Sequence, residues 1–199
     1  MSSKQDLFAS WHTENIATID DFLTAEECQH YIGLSEQGGY DGATITTESG
    51  GVLRPEVRNN DRYILDDKNI AALLWQRMSH LIENPYHNRW EPLGLNERLR
   101  FYRYDPGQKF DWHRDGHFAR DENERSLLTF MVYLNEECEG GETLFGQRND
   151  TAYEVVRRVR PKTGTALMFL HRLLHKGDTV DNGQKYVMRT DVMFRRLPY

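Results

Sequence analysis

The second half of this chain consists of short apolar segments separated by glycine and proline turns, with no helical periodicity between them. The segments predicted as strands are residues 99–104, 127–134, 153–159, 165–170 and 185–195. Two of them, 127–134 and 165–170, are largely apolar throughout, which is typical of strands buried on both faces. Many short strands in succession without intervening helices favour a sandwich or jelly roll.

Two helices are predicted, both in the first half of the chain. Thr24 and Glu27 form a capping-box sequence, and the helix that they open ends at Gly38. A second helix follows Asp67. The apolar faces at helical spacing are Cys28, Tyr31, Ile32 and Ser35 in the first helix and Ile70, Leu73, Leu74, Met78, Leu81 and Ile82 in the second. We expect both faces to pack against the core. A short strand that runs into a turn is expected over residues 16–22, before the first helix.

These patterns predict a mainly β protein with flanking helices (α+β). The architecture that we expect is a jelly roll, or double-stranded β-helix, with the N-terminal helices packed outside. A length of 199 residues corresponds to one domain. Within it, residues 1–98 are expected to form a supporting region and residues 99–199 the core.

Charge and cysteine content narrow the classes of function. The 25 basic and 31 acidic residues give a net charge of −6, which argues against a broad nucleic-acid-binding face. No apolar run approaches the ~18 residues of a membrane span, and residues 1–11 lack a secretory signal pattern. Two cysteines are too few for a disulfide scaffold or a zinc cluster. We therefore expect a cytoplasmic protein without nucleic-acid or membrane partners.

One histidine–aspartate pair in the strand-rich half indicates a metal site. His113 and Asp115 are two residues apart, and residues at that spacing in a strand point to the same face. Phe110 and Trp112 would surround the pair with aromatic side chains that limit water. A His-x-Asp triplet is a weak signal by itself, because a surface ion pair has the same pattern.

A third ligand must come from another strand. His175 follows the predicted strand 165–170, and strands that far apart in sequence can be neighbours in a jelly roll. Two histidines and one carboxylate on one face form the facial triad of non-haem Fe(II) oxygenases, which leaves three metal positions open. His171 lies four residues before His175 and competes with it for this role.

Four sequence segments occur in a recognisable order. They are LRFYRYDPGQKFDWHRDG at 99–116, LLTFMVYLN at 127–135 with GGETLF at 140–145, PKTGTAL at 161–167, and HKGDTV with GQKY between 175 and 186. This succession resembles the prolyl 4-hydroxylase-like branch of the Fe(II)/2-oxoglutarate-dependent dioxygenases. The resemblance covers residues 99–194, about half of the chain.

The resemblance implies a set of cofactors and iron ligands. Fe(II), the cosubstrate 2-oxoglutarate and O2 are expected, with His113, Asp115 and His175 as iron ligands and catalytic residues. His175 is preferred to His171 because only His175 is followed by the glycines and the lysine in the spacing of that branch. A requirement for L-ascorbate (vitamin C) is common in the branch, and the sequence leaves it open.

The cosubstrate requires a buried cation, since its distal carboxylate would otherwise be an unpaired buried charge. Lys185 lies ten residues after His175, where prolyl 4-hydroxylases place their lysine. Arg189 shares the strand face of Lys185 and competes for the same carboxylate, because other branches use an arginine there. Tyr104 and Tyr133 match tyrosines that hydrogen-bond 2-oxoglutarate in the resembled branch.

The substrate side of the site departs from the collagen-type pattern. An arginine separates the first two ligands, a histidine follows soon after, and the last strand lacks the usual tryptophan. Residues 40–60, rich in Gly, Ser and Thr, are a candidate lid or a hairpin with a flexible tip. The arginines of this segment would suit an acidic peptide or a carboxylate-bearing metabolite, although solvated loop arginines are commoner. The candidate substrate or lid residues are Arg54, Arg58, Arg100, Tyr102, Arg114 and His117.

The expected reaction is hydroxylation of a C–H bond with release of succinate and CO2. Our first hypothesis is a prolyl 4-hydroxylase-like enzyme acting on a protein side chain. The alternatives are hydroxylation of a free amino acid or small metabolite, and a non-catalytic jelly-roll module that binds a metal or sugar.

Overall fold

A computed structural model describes residues 15–47, 50–84 and 86–198 of the chain. In that part of the chain the helices are α1 (Ala25–Gly38) and α2 (Lys68–Met78), and a 3₁₀ turn (Ser79–Leu81) follows α2. None of the described helices is long and apolar enough to cross a membrane. Residues 1–11, in which we find no secretory signal pattern, lie outside the described residues.

The described strands are short and account for most of the regular structure. The first eight are β1 (Ile16–Ile19), β2 (Asp41–Gly42), β3 (Ile45–Thr47), β4 (Gly50–Val52), β5 (Asp61–Asp66), β6 (Trp90–Leu95), β7 (Arg98–Tyr104) and β8 (Phe110–His113). The others are β9 (Glu124–Tyr133), β10 (Cys138–Gly140), β11 (Thr143–Arg148), β12 (Tyr153–Val159), β13 (Ala166–Leu170), β14 (His175–Gly177), β15 (Val180–Gly183) and β16 (Lys185–Arg196). The strands predicted in the second half are all present, with their ends shifted by a few residues.

Two antiparallel sheets form the jelly roll. The major sheet has eight strands, in the order β1-β13-β9-β16-β7-β5-β2, with β6 also paired to β16. The minor sheet has the order β12-β11-β14-β8. Strands from the first half of the chain therefore complete the major sheet. The predicted mainly β jelly roll is confirmed, whereas the division at residues 98 and 99 stays a prediction.

Each face of the major sheet is buried by a different partner. One face packs against the helices in a large apolar cluster that includes Phe101, Phe130 and Phe194. The opposite face and the minor sheet enclose a second, smaller cluster that includes Phe145 and Phe169. The helices therefore lie outside the roll as predicted, and the space between the two sheets is left for a site.

The start of α1 follows its sequence signal closely. The Glu27 N–H donates to the Thr24 hydroxyl at 3.1 Å, and the Thr24 N–H donates to the Glu27 carboxylate at 2.9 Å. Each group satisfies a helix-terminal donor that would otherwise be unpaired, so the predicted capping box is confirmed. Arg77 of α2 also donates to Glu27, at 2.5 and 3.0 Å, and this pair joins the two helices.

The predicted apolar face of the second helix was partly wrong. Helix α2 ends at Met78, so Leu81 and Ile82 lie in and after the 3₁₀ turn. Leu73 is 45% exposed, although its spacing placed it in the core. The physical reason is that α2 buries only a narrow stripe of its surface, formed by Ala71, Leu74 and Met78. The predicted short strand that runs into a turn over residues 16–22 is confirmed, because β1 ends at Ile19 and a turn follows it.

The segment 40–60 is more regular than predicted. Strand β2 pairs with β5, and β3 and β4 form a two-stranded hairpin of their own. This hairpin lies outside the two main sheets, as a lid would. The segment then returns to the roll, where Arg58 forms an isolated bridge with Phe110 of β8.

Candidate active site

Two strands of the minor sheet bring the predicted metal ligands together. His113 ends β8 and His175 begins β14, and the two residues are directly paired across these strands. Ligand atoms of His113, Asp115 and His175 all lie within 4.8 Å of one another. No other group of three such side chains occurs among residues 15–47, 50–84 and 86–198.

Asp115 reaches this group by a route that differs from the prediction. Strand β8 ends at His113, so strand alternation does not place the carboxylate. The chain turns after His113, and the Asp115 N–H donates to the His171 carbonyl at 3.0 Å. That hydrogen bond holds the turn and directs the carboxylate back towards the two imidazoles.

Backbone carbonyls orient both imidazoles. The Nδ1 atom of His113 lies 2.7 Å from the Asp111 carbonyl oxygen, and that of His175 lies 2.9 Å from the Leu173 carbonyl oxygen. A carbonyl only accepts, so each Nδ1 carries the proton and each Nε2 presents a lone pair. The two Nε2 atoms lie 3.7 and 3.6 Å from the Asp115 carboxylate oxygens. Three metal-binding atoms thus face one point.

The protonation states suit a divalent metal. Burial lowers the pKa of His113 to about 3 and also lowers the pKa of His175. Burial would raise the pKa of Asp115, but Arg189 and the two histidines outweigh it and hold that pKa well below its usual range. At neutral pH the group is therefore two neutral imidazoles and one carboxylate, the forms that bind metals.

A second layer of side chains fixes the Asp115 carboxylate. The Thr129 hydroxyl donates to Asp115 Oδ2 at 2.6 Å, so its oxygen accepts from His171 Nδ1 at 2.9 Å. His171 Nε2 in turn lies 2.8 Å from the Ser126 hydroxyl. His171 therefore points away from the ligand centre and supports it through Thr129, which agrees with the preference for His175.

We expect the Thr129→Val substitution to lower metal affinity by about 10-fold to 100-fold, the usual cost of losing a partner of a metal ligand. Valine keeps the volume but leaves Asp115 Oδ2 without its hydroxyl donor. Titration with Mn(II) in competition with a chelator measures the change. Thr190→Val is the matched control, because its buried hydroxyl donates to the Asn96 carbonyl at 2.6 Å, away from the ligands. Equal metal affinity in Thr129→Val and wild type would show that Thr129 does not position Asp115.

The three ligand side chains line a cavity between the two sheets. Lys185 lines the same cavity and provides a buried cation there. Its side chain is 2% exposed, and Nζ donates to the Gly141 carbonyl at 2.6 Å. Nζ also lies 4.7 Å from the centre of the Tyr104 ring. Among the described residues it forms no ion pair, and burial lowers its pKa to about 8. A buried ammonium without a counter-ion favours an anionic ligand.

Arg189, the competing cation, is already paired. Its Nη2 atom lies 3.1 Å from Asp115 Oδ2 and 3.2 Å from Asp191 Oδ1. Burial would lower the pKa of Arg189, but the two carboxylates raise it above its ordinary value. Arg189 thus supports the metal ligand, and of these two cations Lys185 is the one without a counter-ion among the described residues.

The two predicted tyrosines differ in their access to the cavity. Tyr104 lines it, opposite Lys185 in the β7–β16 pairing. The Tyr133 hydroxyl donates to the Thr143 hydroxyl at 2.6 Å, and its ring lies 6.0 Å from Lys185 Nζ. Thr143 belongs to β11 and also lines the cavity. Sequence analysis also missed the apolar lining residues Met131, Phe169 and Val187, whose only signal was their inward strand position.

Aromatic packing around His113 is one-sided. The Phe110 ring stacks on the His113 imidazole with centroids 3.5 Å apart. Trp112 points to the other face of the minor sheet and stacks on Tyr153 at 5.1 Å. The expectation that Trp112 shields the metal site was therefore wrong, because neighbouring strand residues alternate in direction.

The predicted substrate residues fall into separate groups. Arg58 is 5% exposed and packs over the Tyr102 and Phe110 rings, so the commoner alternative of a solvated loop arginine does not apply to it. Tyr102 lines the cavity, and Arg100 donates to Asp191 at 3.2 Å. Arg54 is exposed, pairs with Glu56 at 3.4 Å and lines neither the cavity nor the adjoining groove.

An open groove of about 730 Å³ adjoins the cavity, and Asp115 lines both. Its walls include Tyr86 and Trp90 and contain four arginines. The basic groove residues are Arg89, Arg114, Arg125, Arg172, His87, His117 and His171. Arg114 and His117 therefore border the groove and not the cavity. Asp115 is the one acidic side chain among the described lining residues, so the groove is basic in a chain of net charge −6.

The comparisons with known proteins agree with this geometry. A model of the 2OG-Fe(II) oxygenase superfamily matches residues 99–190. Probable prolyl 4-hydroxylase 7 of Arabidopsis thaliana is 26% identical over 191 residues, which cover 87% of this chain and 57% of that protein. The chain therefore spans little more than half the length of this curated relative.

Solved structures show the same fold at low sequence identity. The viral collagen prolyl hydroxylase of Paramecium Bursaria Chlorella virus-1 superposes with a TM-score of 0.59 at 22% identity, covering 92% of this chain and 98% of that one. A prolyl hydroxylase of Trichoplax adhaerens gives a TM-score of 0.68 at 15% identity, with coverages of 95% and 88%. By these comparisons the chain is similar to the prolyl 4-hydroxylase-like members of the 2OG-Fe(II) oxygenase superfamily.

The residues present fit the cofactors of this superfamily, which are Fe(II), 2-oxoglutarate and O2. His113, Asp115 and His175 offer the two nitrogens and one oxygen of a facial triad. Lys185 offers a buried ammonium that lacks a counter-ion within the described part of the chain. These residues would hold the metal and the distal carboxylate of the cosubstrate.

Proposed function

We propose that this protein is an Fe(II)- and 2-oxoglutarate-dependent dioxygenase that hydroxylates a C–H bond of a protein side chain, in the manner of a prolyl 4-hydroxylase. The observation that carries the proposal is that one cavity contains both a three-ligand centre and a buried lysine without a counter-ion among the described residues. A metal-binding module without catalysis needs the three ligands but does not need the buried Lys185 ammonium beside them.

The roles of the residues follow from their contacts. Fe(II), when bound, supplies dioxygen activation coupled to conversion of 2-oxoglutarate into succinate and CO2. His113, Asp115 and His175 would hold this metal through two imidazole nitrogens and one carboxylate oxygen. Lys185 binds the distal carboxylate of the cosubstrate, and Tyr104 beside it offers a hydroxyl to the same ligand.

Other side chains exclude water from the cavity and fix the orientation of the metal ligands. The apolar side chains Met131, Phe169 and Val187 line the cavity and exclude water from it. Phe110 covers one face of His113. Arg189 and Thr129 keep Asp115 ionised and in one orientation, which holds the open ligand positions in a constant direction.

The groove beside Asp115 favours a protein substrate over a free amino acid. The groove is open to solvent, and its lining contains aromatic residues and arginines, which are enriched in protein–protein interfaces. The prolyl hydroxylase from Trichoplax adhaerens was solved with a peptide fragment, and a peptide in an extended form would suit the groove described for this chain. We also propose a cytoplasmic location and an ascorbate requirement, to be tested by fractionation and by turnover with and without ascorbate.

The test is 2-oxoglutarate-dependent succinate formation by the Fe(II)-loaded protein in air, with a panel of proline-containing peptides and with free amino acids. We expect succinate to form and peptides to stimulate it more than free proline does, with a mass increase of one oxygen on the peptide. Stimulation by free amino acids alone would favour the small-molecule alternative. Metal binding without any 2-oxoglutarate binding would favour the non-catalytic module.

A further inference from the structure

The cavity wall formed by β5 and β7 carries positive charge that the described residues do not neutralise. Arg62 of β5 lies directly opposite Tyr102 of β7. Arg58 packs over two rings that line the cavity, with its Cζ 4.6 Å from the Tyr102 ring centre and 4.3 Å from that of Phe110. Tyr102 thus has one guanidinium group over its ring and a second arginine opposite it on the neighbouring strand.

Arg58 is buried without a full set of partners. Its Nε donates to Asn60 Oδ1 at 2.8 Å, while Nη2 is inaccessible to solvent and has no hydrogen-bond partner among the described residues. Arg62 donates to the neutral Thr44 hydroxyl at 3.1 Å and forms no ion pair in the same part of the chain. A buried guanidinium with an unused donor and no counter-ion is costly, so an anionic partner is expected at this point.

The carboxylate next to this wall is already engaged. Asp191 lies 3.2 Å from Arg100 and 3.2 Å from Arg189, and so is shared between two other arginines. Burial would raise the pKa of Tyr102, yet Arg58, Arg189 and Arg100 lower it to about 8. The phenol oxygen therefore lies in a strongly positive field that faces the cavity.

We propose that the substrate presents a carboxylate beside the carbon to be hydroxylated, and that Arg58, Arg62 and the Tyr102 hydroxyl bind it. This inference rests on the proposed function, because it names the substrate class for that cavity. The carboxylate site is separate from that of the cosubstrate. Arg100, Tyr102 and Tyr104 follow one another at every second position of β7. Lys185 lies opposite Tyr104, which is two residues beyond Tyr102 in that strand.

The carboxylate could belong to an acidic residue of a peptide or to a free acid. The test measures binding to the protein loaded with Fe(II) and 2-oxoglutarate in the absence of oxygen. The probes are the blocked peptide Ac-Gly-Glu-Pro-Gly-NH2, its glutamine counterpart, free glutamate and free glutamine. We expect an acidic probe to bind about tenfold or more tightly than its amide, the usual effect of a charge-assisted pair.

Variants of Arg58 and Arg62 test whether these two residues cause the preference for an acidic probe. Arg58→Gln and Arg62→Gln are each expected to reduce the acid-to-amide ratio at least several-fold. Arg58→Lys, which keeps the charge, should retain part of it. Arg54→Gln is the matched control, because Arg54 lies in the same segment but is exposed and paired with Glu56. Thermal unfolding of each variant separates loss of binding from loss of folding.

The outcomes distinguish the inference from the function on which it rests. Equal binding of acid and amide, no binding of any acidic probe, or an unchanged preference in both glutamine variants would each overturn the carboxylate site. Preference for the acidic peptide over glutamate would assign the carboxylate to a peptide residue, and the reverse order to a free acid. Failure of 2-oxoglutarate to bind, with the acid preference intact, would reject the dioxygenase and keep the site.

Discussion

Substitution of His175 by alanine is expected to abolish 2-oxoglutarate-dependent succinate formation and to weaken metal binding by at least about 100-fold. His175 Nε2 is one of three ligand atoms facing a common point, and alanine offers no replacement. Two remaining ligands would leave a metal weakly held and open to water. Metal titration and succinate release, measured on the same preparation, test both parts of the expectation.

His171→Ala provides the matched control for this experiment. His171 is also a buried histidine of the same loop, but its ring nitrogens face the hydroxyls of Thr129 and Ser126. We expect the metal affinity of this variant to stay within about tenfold of wild type. The reason is that His171 contacts Thr129, and only Thr129 contacts the ligand Asp115. Loss of metal in His171→Ala together with its retention in His175→Ala would reverse the assignment of the third ligand.

Lys185→Met is expected to weaken 2-oxoglutarate binding by about 100-fold or more. Methionine fills a similar volume but leaves the distal carboxylate buried without a cation, which costs about 3–5 kcal/mol. Calorimetric titration of the metal-loaded protein without oxygen measures the affinity. Arg189→Gln is the comparison, and we expect it to lower metal affinity while changing 2-oxoglutarate affinity at constant metal occupancy by less than about tenfold.

The pH dependence of 2-oxoglutarate affinity gives a second test of whether Lys185 binds the distal carboxylate. Burial lowers the pKa of Lys185 to about 8, so the free protein loses this positive charge as the pH rises above that value. Binding of the dianion needs the charged form, and its dissociation constant should therefore increase about tenfold per pH unit above about pH 8. Lys185→Arg should remove this slope. A pH-independent affinity in wild type, or full affinity in Lys185→Met, would exclude Lys185 from the cosubstrate site.

Local sequence patterns predicted the elements that depend on local contacts. The capping box of α1 needs only Thr24 and Glu27, three residues apart, and it forms as expected. The apolar runs of β9 and β13 likewise predicted buried strands. Leu73 shows the limit of this reasoning, because helical periodicity defines a face but does not define how much of that face the sheet covers.

Tertiary structure decided what the charged residues do. The sequence by itself determined the jelly-roll class, the order of the motifs and the identity of the three clustered ligands, because apolar strand segments and the order and spacing of motifs are written along the chain. It did not determine that Asp115 is placed by a turn, that Arg189 pairs with Asp115, or that Arg58 is buried. Those outcomes depend on which strands become neighbours, and charge pairing acts between residues that are distant in sequence and close only after folding.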